Sequence, residues 1–227
     1  MTDFARVAWL VVRKDIAVEI RSWELVSTTL FFAVSCVMVF AFAFVEEGRV
    51  VANVSAGILW IAIAFAGTLA LARTFERERQ TETLRALLLA PADRPALYLG
   101  KLIGILMLMG ITELVLLPLI WLFFQAPIGS SPVLLLALLA AGTIGYAAVG
   151  TLFAAMLVRA RSRDVMLPIL LYPVTIPVII AGVRGTAALF QSTPDAGVAQ
   201  FWLGLLIFFD VVFVILALWT FEPLMTE

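Results

Sequence analysis

The sequence has no histidine, one cysteine (Cys36) and few charges: only 14% of its 227 residues are Asp, Glu, Lys or Arg. Each shortage closes off a class of function. Without histidine there is no Ser/His/Asp triad, and the commonest general base and commonest metal or haem ligand is missing. A single cysteine builds neither an internal disulfide nor a thiolate cluster; inside an apolar run it packs as a small hydrophobe. A charge content far below the roughly 25% of soluble domains leaves too little polar surface to face water, so a soluble globular fold is excluded. The net charge of −1 offers no positive field to nucleic acid. The phosphate-cradling pattern G-x-x-x-x-G-K-[ST] is absent. The one Gly-Lys pair, Gly100-Lys101, has Pro95 where the first glycine would stand and Leu102 where the hydroxyl would. No G-x-S-x-G elbow occurs either. The chain carries no recognisable catalytic chemistry, so any ATP-driven action must be supplied by another subunit.

What is abundant is apolar sequence, 63% of the chain. Six runs are long enough to cross about 30 Å of hydrocarbon: 25–45, 54–72, 102–124, 133–158, 165–183 and 201–221. Backbone groups in lipid must be satisfied within their own segment, so these runs are expected to be helices. Strand alternation is missing, which argues against a β-barrel. The expected fold is an all-α integral membrane protein, with residues 1–227 forming one transmembrane domain. Of the 15 basic residues, all but Arg49 and Arg184 fall before span one or in the alternate loops on that same side. By the positive-inside rule both termini are cytoplasmic. The first apolar run starts late and is too long for a signal-peptide core, so it is read as an uncleaved anchor.

Residues 4–24 are mixed in character. Trp9, Val12, Ile16, Ile20 and Trp23 recur every three or four positions, with Arg6, Arg13 and Arg21 on the other side. This pattern predicts an amphipathic helix lying in the membrane interface, with docking on a soluble partner as the alternative. The loop 73–95 alternates charge through Glu76, Arg77, Glu78, Arg79, Glu82 and Arg85. Glu76–Arg79 and Glu82–Arg85 sit three apart and can pair along a helix. From Leu84 to Ala90 comes a short, mainly apolar run, including Leu87 and Leu88, which Pro91 stops. Seven such residues cannot span a bilayer, so the membrane surface or another protein must cover them. On the residues alone, a solvated loop and a docking site both stay open.

Two acids lie within spans, Glu113 and Asp210. A charge at the bilayer centre is costly, about 2.5–3.5 kcal/mol on insertion scales, so each should face protein or water. They serve either as a proton or ion site or, the reading preferred here, as interhelical hydrogen-bond partners. Span four carries Ala141, Gly142, Gly145, Gly150 and Ala154, which allow close backbone approach. Span five holds Pro168, Pro173 and Pro177 and is expected to bend or break; it either lines a pathway or is re-entrant.

The order and spacing of several segments resemble one family. These are Lys14-Asp15-Ile16 through Glu19-Ile20-Arg21-Ser22, Gly57-Ile58-Leu59-Trp60, Phe75-Glu76-Arg77-Glu78, and Leu87-Leu88-Leu89-Ala90-Pro91 with Tyr98 to Lys101. They continue in Glu113 to Pro118, Gly142-Thr143-Ile144-Gly145, Gly150 to Phe153, Leu167-Pro168 with Pro173 and Pro177, and Phe209-Asp210. The chain resembles the haem exporter protein B family, permease subunits of the cytochrome c maturation system within the type-2 ABC permeases. The resemblance implies six helices and an interfacial N-terminal helix in a bacterial inner membrane. It implies two copies working with two cytoplasmic ABC ATPase subunits and with other cytochrome c maturation membrane proteins. On that analogy the ATPase docks on the loop through Phe75, Glu76, Arg77, Glu78, Arg79, Glu82, Leu84, Arg85, Leu87 and Leu88. The chain itself binds no cofactor: ATP sits on the partner and haem is handled by the complex. Lacking histidine, ligated haem would need Met107, Met109, Met156 or Tyr172, all better read as core, so a mechanical role is expected rather than passage of haem through a pore. The competing expectations are a type-2 exporter permease for another hydrophobic or lipid-linked substrate, a proton-coupled secondary transporter using Glu113 and Asp210, and a scaffold without a transport cycle.

Overall fold

The computed structural model describes residues 2–46, 49–50, 54–75, 94–158, 160 and 162–224. Seven α-helices account for nearly all of them. They are α1 (Thr2–Ser22), α2 (Glu24–Phe44), α3 (Val54–Arg73), α4 (Arg94–Phe124), α5 (Pro132–Met156), α6 (Arg163–Leu189) and α7 (Ala196–Leu224). A two-residue antiparallel pairing, Val45–Glu46 with Arg49–Val50, lies between α2 and α3. Helices α2 to α7 are each long and apolar enough to cross a membrane.

A single residue separates α1 from α2. Trp23 adopts φ 54°, a left-handed conformation uncommon for any residue but glycine, and this turns the chain sharply. The turn is held by the Trp23 N–H donating to the Glu19 carbonyl at 2.7 Å and by the Val26 N–H donating to Glu19 Oε1 at 2.8 Å. A carboxylate at the start of α2 satisfies an orphan donor and complements the helix dipole.

The expected apolar stripe of α1 divides in two. Ala8, Val11 and Val12 are buried, and α1 packs on α4, where a side chain at Gly100 would collide with Val11 and the Ala8 carbonyl. Trp9, Ile20 and Trp23 are exposed beside that contact face. The physical reason is that positions three or four apart are still rotated by about 40° to 60° about the axis, so a stripe drawn by that spacing is wide enough to be part contact and part exposed.

Helix α3 is the most enclosed of the spans, and α2, α4, α5 and α6 all contact it. Its exposed large side chains, Ile61, Phe65 and Leu69, are four residues apart and so form one narrow stripe. Helix α2 is peripheral. It buries Thr29, Ala33, Val37 and Ala41, again every fourth residue, and turns large side chains such as Phe31 and Phe42 outward. Helices α5, α6 and α7 pack closely together, and α5 and α6 also pack on α3. The small residues of α5 are buried there, so backbones approach as expected.

Of the bend or break expected at the prolines, the break does not occur. Helix α6 runs unbroken through Pro168, Pro173 and Pro177, and 27 residues at about 1.5 Å each reach ~40 Å, enough to span the hydrocarbon. A continuous buried stripe (Leu167, Leu171, Thr175, Val178, Ala181 and Gly185) crosses the proline region, so packing against neighbours holds the helix together. Pro173 and Pro177 face outward, away from that stripe.

Candidate functional site

Two regions concentrate polar chemistry: the end of the bundle that carries the basic residues, and the interior of the span layer. At the basic end, Lys101 is only 3% exposed. Its Nζ pairs with Asp15 Oδ2 at 3.0 Å, donates to the Thr74 carbonyl at 3.1 Å and sits 5.4 Å from the centroid of the buried Phe75 ring. Asp15 also meets Lys14 at 3.0 Å. Three elements thus meet at one ammonium: α1, the residues just after α3, and α4. Nearby, Glu24 at the start of α2 meets Arg73 at the end of α3 at 3.0 Å. Tyr98, fully buried, donates to the Ala148 carbonyl at 3.0 Å and tilts against Phe221 at 5.3 Å, which ties α4 to α5 and α7.

Of the loop residues singled out as a docking site, Phe75 is described, and it is buried in this cluster. Glu76, Arg77, Glu78, Arg79, Glu82, Leu84, Arg85, Leu87 and Leu88 lie outside the described residues.

Inside the bundle, Trp60 is almost completely buried and its Nε1–H donates to Thr186 Oγ1 at 3.0 Å. The indole lies in a notch formed by Gly142 and Gly182, where any Cβ would collide with the ring. Thr68 joins a hydroxyl cluster. Its Oγ1 is 2.7 Å from Tyr146 Oη and 3.2 Å from Tyr172 Oη, and the Tyr146 hydroxyl also reaches the Ala64 carbonyl at 2.8 Å. These contacts join α3 to α5 and α6.

The two intramembrane acids both face α5. Glu113 accepts a hydrogen bond from the Thr143 hydroxyl. Asp210 lies against Gly145, where a Cβ would touch its carboxylate. They therefore sit two residues apart along α5, reached from α4 on one side and α7 on the other. The candidate haem ligands do not share one environment. Met109 is buried against Gly67, Met107 and Met156 are exposed, and the Tyr172 hydroxyl is engaged with Thr68.

Sequence reasoning met Lys101 as a topology charge, in the Gly100-Lys101 pair and in the segments that carry the resemblance, and met Asp15 in those segments, but gave neither a role; Thr68 was not singled out. No local pattern marks them, because their partners are distant in the chain. The one available signal was a lysine directly after Gly100, inside what proves to be the second turn of a helix.

A helical bundle with six helices long and apolar enough to cross a membrane, joined across its apolar interior by a few side-chain hydrogen bonds, defines a multi-pass membrane protein. The sequence profile of the CcmB protein family matches residues 6–223. The chain belongs to that family. It is 30% identical to the heme exporter protein B of Pseudomonas aeruginosa over 177 residues, 78% of each chain. It is 27% identical to the protein of the same name from Rhodobacter capsulatus over 190 residues, covering 82% of this chain and 87% of the relative. The corresponding Escherichia coli K12 protein is 29% identical over 108 residues, 49% of its length.

Proposed function

We propose that this protein is the membrane subunit of an ATP-driven ABC complex needed for c-type cytochrome biogenesis. It couples ATP hydrolysis in a cytoplasmic partner to haem delivery, or to release of a haem-loaded periplasmic chaperone. The family match across residues 6–223 carries the reading. The relatives named heme exporter protein B support it, as does a chain with no phosphate-cradling motif and no histidine. In this reading the protein sits in a bacterial inner membrane with both termini cytoplasmic. It acts as a pair of copies, beside the ATPase and other maturation membrane proteins, and performs no catalysis itself. The ATPase docks on the segment that follows the buried Phe75, through Glu76, Arg77, Glu78, Arg79, Glu82, Leu84, Arg85, Leu87 and Leu88.

The work is mechanical. ATP shifts the complex between two conformations only to the extent that it binds them with different strength. The hydrogen bond from Thr143 to Glu113 favours a structural role for that acid over a proton site. Replacing Arg77 and Arg79 together by Glu is expected to abolish co-purification of the ATPase. Deleting the gene is expected to remove c-type cytochromes while sparing b-type ones. Unchanged assembly in the charge-reversed variant refutes the docking assignment, and retained c-type cytochromes refute the function.

A further inference from the structure

Helix α3 is buried on most sides, yet one line of residues stays exposed along it: Ile61, Phe65, Leu69 and Arg73, each four positions after the last. Gly57 extends the line; a Cβ there would meet nothing within 4 Å. The line is open because α2 and α6 both pack on α3 but barely meet each other. The Phe65 ring stands edge to face between Phe32 of α2, at 6.3 Å, and Tyr172 of α6, at 6.2 Å. The stripe is therefore the floor of a furrow with one helix on each side. An apolar chain lying in it touches three helices at once.

The furrow has a polar end. Arg73 closes α3 and Glu24 opens α2, and Nη1 of the first meets Oε1 of the second at 3.0 Å, with both side chains exposed. An exposed ion pair adds little stability by itself. A guanidinium carries five N–H donors and a carboxylate about four lone-pair sites, so each group can bind a further partner without giving up the other. From Arg73 back to Ile61 the helix rises about 18 Å. One leaflet of a hydrocarbon core of ~30 Å is about 15 Å deep. The apolar floor is thus as long as one leaflet and ends in two charges of opposite sign.

We propose that the furrow between α2 and α6 holds one phosphatidylethanolamine molecule, with its headgroup on Arg73 and Glu24 and one acyl chain along Leu69, Phe65 and Ile61. The phosphate accepts charge-assisted hydrogen bonds from the Arg73 guanidinium. The primary ammonium donates to the Glu24 carboxylate. A choline headgroup has no N–H to donate, and a glycerol headgroup has no cation, so each leaves Glu24 unserved. The site belongs to the membrane domain itself and stands apart from the docking of any ATPase.

The test is native mass spectrometry of the full chain, released from micelles that contain dioleoyl phosphatidylethanolamine, phosphatidylcholine or phosphatidylglycerol in turn. The unaltered chain is expected to retain one phosphatidylethanolamine about tenfold more tightly than either other lipid, the factor that a single hydrogen bond to a charged group supplies. Glu24→Gln with Arg73→Gln is expected to remove that preference; both positions are exposed, so the variant still folds. Leu69→Trp fills the furrow below the charge pair and is expected to weaken retention of phosphatidylethanolamine by a similar factor with both charges intact. If Leu69→Trp fails to fold, the charge variant decides the matter. Equal retention of the three lipids by the unaltered chain overturns the proposal, and so does a preference that survives in the charge variant. The rival occupant is a second copy of this chain. Leu69→Cys in a Cys36→Ala background would then form disulfide-linked dimers on mild oxidation in membranes, and efficient cross-linking at position 69 overturns the lipid assignment.

Discussion

The seat of Trp60 yields a prediction in which three substitutions must give a defined pattern. A methyl added at Gly142 would meet the outer edge of the indole, at Cη2, Cζ3 and Cζ2. Overpacking of this kind costs about 1–3 kcal/mol. Trp60→Phe removes that outer edge and the hydrogen bond to Thr186. A lost interhelical bond in a membrane is worth roughly 0.6–2 kcal/mol. A residual cavity of about 50 Å³ adds ~1 kcal/mol at ~24 cal/mol per Å³. The sum for independent changes is then about 3–6 kcal/mol. In Gly142→Ala with Trp60→Phe, however, the new methyl enters the space that the shorter ring has vacated. The pair is expected to be less destabilised than the sum by about 1–3 kcal/mol. Gly182 behaves differently. Its Cβ would meet Cε2, Cζ2 and Cδ2, at the fusion of the two rings, where a phenylalanine ring still stands. Gly182→Ala is therefore not rescued by Trp60→Phe. Reversible unfolding of the purified protein in mixed detergent–SDS micelles measures all five variants. Additive behaviour at Gly142, or equal rescue at both glycines, would refute this account of the notch.

Other positions carry simpler expectations. Glu113→Gln keeps an acceptor for the Thr143 hydroxyl and should leave stability within about 1 kcal/mol, whereas Glu113→Leu should cost more, as read by the same unfolding assay. The double variant Glu113→Gln with Asp210→Asn should retain c-type cytochrome content in haem-stained membranes; complete loss with normal protein level would revive the proton-site reading. Tyr98→Phe removes the bond to the Ala148 carbonyl but keeps the ring against Phe221, so about 0.6–1.5 kcal/mol of stability should be lost.

The spans were legible because lipid imposes a length and an apolar character on each of them. Their ends were less so. A hydropathy run stops at the first charge, yet a helix continues into the headgroup layer. Thus α4 begins at Arg94 rather than near 102, taking in the buried Tyr98, and α6 extends to Leu189. The prolines of α6 misled for a related reason: local propensity argued for a break, and a buried stripe running the length of the helix overrode it. Glu113 and Asp210 could be recognised as residues needing protein around them, but not as neighbours along α5, because nothing local encodes which helix each acid will face. Lys101 was legible as a charge on one side of the membrane and as part of the segments carrying the resemblance, but not as a buried ion. Its meaning lies in Asp15 and Thr74, three helices earlier and one loop earlier, and pairings at that separation leave no trace in periodicity.

The left-handed Trp23 leaves no slack between α1 and α2. A longer linker would absorb rotation of the first helix as loop entropy. Here one residue joins two helices, so a change in the orientation of α1 has no loop in which to dissipate before it reaches α2.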